Sequence, residues 1–103
     1  MKTCLAILLW AALLSGSTGK ERLLQEYDDL AARAHALVGV VDNMEASLRQ
    51  QGSMLHPDIV EAREHVVSAI NSAAEARDNQ DWPLLRKRLD RARGFVEQLR
   101  RKL

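Results

Sequence analysis

One rhythm runs through most of this chain. Leu23, Tyr27, Leu30, Ala34, Leu37, Val41, Met44 and Leu48 follow one another at alternating intervals of four and three residues. That spacing lines apolar side chains along one seam of an α-helix and gives them no common face on a strand. The beat returns in Ile59, Ala62, Val66, Ala69, Ala73 and Ala76, and again in Leu85, Leu89, Ala92, Val96, Leu99 and Leu103. Leu24, Ala31 and Val38 widen the first seam, which suits a helix with two neighbours, and Ile70 flanks the second.

The breaks between these stretches are marked by turn chemistry. Gly52 accepts the left-handed geometry that follows a helix end, and Pro57 suits a first helical turn, where its missing N–H goes unused. Asp58 and Glu61 complement the positive start of the second helix. Asn79-Gln-Asp-Trp-Pro83 forms the next turn, with Asp81 as the cap and Pro83 again in a first turn. Helices are therefore expected over about 20–51, 57–78 and 83–102. With β-branched residues few and Ala, Leu, Arg and Glu abundant, the expected fold is all-α, an antiparallel three-helix bundle with a long first helix and a shorter helical hairpin.

The lengths do not match. The first helix would reach roughly 48 Å against about 30 Å for each of the others. If the hairpin aligns with its end, the start of helix one overhangs and exposes Leu23, Leu24, Tyr27 and Leu30 as a contact surface for another protein or a second copy. Gly39, in the middle of the same helix, implies a bend or a close approach.

The N-terminus follows a different logic. Lys2 precedes the apolar run Leu5 to Leu14, after which come Ser15-Gly-Ser-Thr-Gly19 and then charge. This is the order of a secretory signal peptide over 1–17, leaving a single domain over 18–103. The run is about half of what a membrane-crossing helix needs. The only cysteine, Cys4, lies ahead of the apolar run and not behind it, so no lipid-accepting thiol stands at the cut. The expectation is an exported protein, periplasmic or secreted and not lipidated, whose mature chain has neither a disulfide nor a catalytic thiol.

Near-neutral overall charge conceals an asymmetry. Lys20 to Asp81 contains 6 basic and 12 acidic residues, whereas Trp82 to Leu103 contains 8 basic and 2 acidic. Arg86, Lys87, Arg88, Arg91, Arg93, Arg100, Arg101 and Lys102 thus form a basic, amphipathic third segment. Such a helix can lie on an anionic membrane with its apolar residues below, or meet an acidic partner surface. It can also neutralise the acidic faces of the other two helices within a closed bundle.

Nothing in the pattern points to catalysis. No serine or thiol is placed beside a histidine, and no glycine-rich phosphate loop occurs. Glu61 and His65 share a helix face, but without a second histidine at ligand spacing they form a solvated pair, so no metal or other cofactor is expected. The function expected is that of a non-catalytic helical interaction module working through helix-to-helix contacts. Anionic-surface binding by the third helix is the alternative, and nucleic acid is not an expected partner.

Overall fold

A computed structural model describes residues 2–103, with side chains from residue 19 onward. Three helices, α1 (Lys2–Gln50), α2 (Pro57–Asp78) and α3 (Trp82–Lys102), pack up, down and up into a three-helix bundle, with no strand among the described residues. α2 and α3 make the most extensive contact, and α1 lies against both. α1 begins at Lys2 rather than near Lys20, because its leucine- and alanine-rich start favours helix. The side chains of the expected signal segment 1–17 lie outside the described residues.

The seams read from the sequence form the core. Leu23, Tyr27, Leu30, Ala34 and Val41 of α1 are buried, as are Ala62, Val66, Ala69, Ile70, Ala73 and Ala76 of α2 and Leu85, Leu89, Ala92, Val96 and Leu99 of α3. Alanine predominates in the α2 seam, letting that helix approach the leucines of α3 closely. Both turns close in the same way. After α1, Gly52 adopts φ 75°, with the Ser53 N–H donating to the Leu48 carbonyl at 2.7 Å and the Gly52 N–H to Arg49 at 3.0 Å. After α2, Gln80 takes the left-handed position at φ 56°, with Asp81 donating to Ala76 and Gln80 to Arg77, both at 3.0 Å. Asp81 then starts α3, its Oδ1 accepting from the Leu84 N–H at 3.3 Å. At the start of α2 the cap is His56, whose Nδ1 accepts from the Asp58 N–H at 3.2 Å. Leu55, just before this cap, is buried, at the position from which an apolar side chain packs on the fourth residue of a helix, here Val60.

The expected overhang at residues 23–30 does not exist. Leu23, Tyr27 and Leu30 are only 6%, 7% and 4% exposed, and Leu24 is half-buried. The physical reason is stagger. Arg63 in α2 reaches Asp42 and Glu45, and Arg77, near its end, stacks on Tyr27 at 4.6 Å, so α2 covers the upper part of α1. α3 starts lower, with Trp82 5.8 Å from the Lys20 ammonium and Arg86 bonded to Glu26. Together the two shorter helices cover more of α1 than either could alone. The larger exposed apolar side chains of α1 lie higher along it. Val40 is 48% exposed and Met44, expected on the seam, 36%; Leu103 is likewise exposed. Gly39 marks neither a break nor a close approach, since a Cβ there would meet nothing within 4 Å.

Candidate functional site

The eight basic side chains of α3 divide into two groups. The first is used inside the bundle. Arg86 Nη1 donates to Glu26 Oε2 at 2.6 Å, and Arg93 stands 3.9 Å from the same carboxylate, so one acidic residue of α1 is held by two turns of α3. Arg88 Nη1 donates to the Ser72 carbonyl of α2 at 2.7 Å and lies 3.8 Å from Glu75. Arg100 pairs with Glu97 one turn back at 2.9 Å. The expected neutralisation of the other two helices is thus present for Arg86, Arg88 and Arg93, while Arg100 is paired within α3 itself.

The second group is Lys87, Arg91, Arg101 and Lys102. All four are exposed, and among the described residues none has a carboxylate within 4 Å. Arg91 instead stacks on Phe95, its guanidinium 5.6 Å from the ring. The apolar side of α3 is not available beside them, because Leu85, Leu89, Val96 and Leu99 are buried in the core. An arrangement with arginines at lipid headgroups and leucines beneath would require the bundle to open.

Beside this second group runs a groove of about 470 Å³ between α2 and α3. His65, Ser68 and Ser72 line one wall, Arg88, Arg91 and Phe95 the other. The two walls follow from antiparallel packing: His65 meets Phe95 with ring centroids 5.1 Å apart, and two turns away Ser72 meets Arg88. Each wall occupies positions three and four residues apart on one flank of its helix, a spacing visible in the sequence. Their juxtaposition depends on the axial register of two helices, which the sequence alone does not state.

The remaining candidates resolve simply. His65 Nε2 and Glu61 Oε1 are 3.9 Å apart, both well exposed, and no three His, Cys, Asp or Glu side chains gather as metal ligands among the described residues. Arg63 joins α1 to α2, with Nη1 2.9 Å from Asp42 and Nη2 3.3 Å from Glu45. Burial works against its charge, but the hydrogen bonds and charges of Glu45 and Asp42 outweigh it and hold the guanidinium pKa above its ordinary value. No described helix is long and apolar enough to cross a membrane. The chain matches no protein family, no curated protein and no solved structure in comparisons with known proteins.

Proposed function

We propose that the protein is a small, exported, non-catalytic binding module that engages an acidic protein surface through the outward side of α3. One observation carries the reading: half of the α3 cations are spent on internal carboxylates and carbonyls, while Lys87, Arg91, Arg101 and Lys102 remain uncompensated on the exposed side. Unpaired surface cations steer an oppositely charged partner and set its orientation. A contact through Leu23, Tyr27 and Leu30 is not retained, since those side chains are core. An anionic membrane is a weaker match than a protein surface, because α3 has no free apolar face to insert. Export rests on the order of residues at the N-terminus, and N-terminal sequencing of the protein recovered from its natural host tests it: a chain beginning at Met1 in the cytoplasm refutes it.

The test of binding uses fluorescence anisotropy with labelled oligoglutamate, oligolysine as the charge-reversed control, and vesicles with and without phosphatidylserine. The expected result is oligoglutamate binding that weakens about tenfold from low to moderate salt. The quadruple variant Lys87→Gln, Arg91→Gln, Arg101→Gln, Lys102→Gln loses it even at low salt. Equal affinity for oligoglutamate and oligolysine overturns the proposal. So does binding to phosphatidylserine vesicles without binding to oligoglutamate, which identifies a lipid surface instead.

A further inference from the structure

The groove between α2 and α3 adds selectivity to a surface that would otherwise respond to charge alone. We propose that it is a recognition pocket for a partner segment presenting a carboxylate beside an apolar side chain; this rests on the acidic-partner reading above. Phe95 forms a half-buried apolar floor, flanked by the His65 ring at 5.1 Å and the Arg91 guanidinium at 5.6 Å. Arg88, two turns before Phe95 on the same wall, is held across the groove by its 2.7 Å bond to the Ser72 carbonyl of α2. That bond fixes one arm of the guanidinium and leaves its other donors available, so less side-chain freedom is lost when an anion arrives. The hydroxyls of Ser68 and Ser72 supply further donors along the α2 wall.

Two carboxylates of the chain itself stand near the groove, Glu75 at 3.8 Å from Arg88 and Glu61 at 3.9 Å from His65. Both are more than two-thirds exposed and beyond hydrogen-bonding distance, so an incoming carboxylate displaces no formed bond. Two guanidinium groups spaced along the α3 wall on one side of the Phe95 ring match a carboxylate and an adjacent apolar group together, which an oligoanion without the apolar group cannot exploit. At about 470 Å³ the groove has room for one such pair of side chains, within the range of ordinary ligand sites.

The experiment compares labelled oligoglutamate with the same peptide carrying one central leucine, each titrated into the full chain, with amide chemical shifts recorded alongside. The leucine peptide is expected to bind about tenfold more tightly, with shift changes concentrated at 65–72 and 88–95. Ser68→Leu, which fills the groove and removes no charge, is expected to abolish that preference while leaving oligoglutamate binding in place. Arg101→Gln with Lys102→Gln is expected to weaken both peptides alike. Circular dichroism confirms that each variant retains the helical bundle. Equal affinity for the two peptides, or an undiminished preference in Ser68→Leu, overturns the pocket and leaves the charged-surface reading intact. Failure of both peptides to bind overturns both.

Discussion

Replacing Leu23 by alanine tests the stagger of the helices directly. Leu23 is 6% exposed in the core, at the level where α3 begins. Leucine to alanine removes three carbon atoms, worth together about 2.4 kcal/mol at about 0.8 kcal/mol per methylene-sized group. A residual cavity adds to this, though a site near the end of a bundle collapses more readily than one at its centre; the expected cost is about 2.5–3.5 kcal/mol. Alanine's slightly better helix propensity recovers only a few tenths of a kcal/mol. Urea unfolding followed by circular dichroism reads the change as a midpoint about 2 M lower at unchanged slope. Val40→Ala serves as the comparison, because that side chain is on the outward face of α1 at 48% exposure and should cost less than about 1 kcal/mol. A loss below about 0.5 kcal/mol at Leu23 would refute the register, since it would place the start of α3 higher on α1, and a larger loss at Val40 than at Leu23 would refute the inward face assigned to α1.

Two backbone substitutions in opposite directions should each stabilise the protein. Gln80→Gly relieves a left-handed residue at φ 56° and is expected to raise stability by about 0.5–1 kcal/mol, a melting temperature several degrees higher; an unchanged or lower melting temperature counts against the Schellman turn. Gly39→Ala adds a methyl group into open space within a helix, for about 0.7–1 kcal/mol in the same assay, and a loss there would reveal an approach to Gly39 that the bundle does not contain. Arg63→Met should cost about 0.5–1 kcal/mol, discounted because Asp42 and Glu45 remain partly solvated, and the difference from the parent should shrink in 1 M salt; a salt-independent loss would assign Arg63 to packing instead of charge.

How far the fold was legible depends on which question is asked of each residue. Leu89, Ala92, Val96 and Leu99 announce which side of α3 faces inward, because burial follows directly from helical spacing. Gly52 and Pro57 announce where one helix stops and the next starts, because their backbone preferences are local. Leu23 and Met44 occupy equivalent positions in the same rhythm, yet one is core and the other 36% exposed. A seam specifies a face and says nothing about how far a neighbour extends along it. That extent is set by the segment between α1 and α2 and by the tight turn after α2, whose combined effect is a property of three dimensions. The same limitation hid the groove. His65, Ser68 and Ser72 look like an ordinary polar flank until antiparallel pairing sets them opposite Arg88, Arg91 and Phe95. The charge asymmetry was legible as an amount; its division into four spent and four unspent cations required knowing that Glu26 and Ser72 stand within reach.

Asp81 has a consequence for the order in which the protein assembles. Its N–H completes the end of α2 while its carboxylate completes the beginning of α3, so the two helices share a residue that neither can release without fraying the other. The pair is joined by a minimal loop and makes the most extensive contact between described helices. Contacts so near in sequence require little loop closure and form early, which makes the hairpin the natural folding nucleus and the docking of α1 the later, more reversible step. Native-state hydrogen exchange should then show amides around Ala73, Ala76, Leu85 and Leu89 protected to the level of global unfolding, with those of α1 opening at lower free energy as one cooperative unit. Uniform protection across all three helices would show instead that the bundle opens only as a whole.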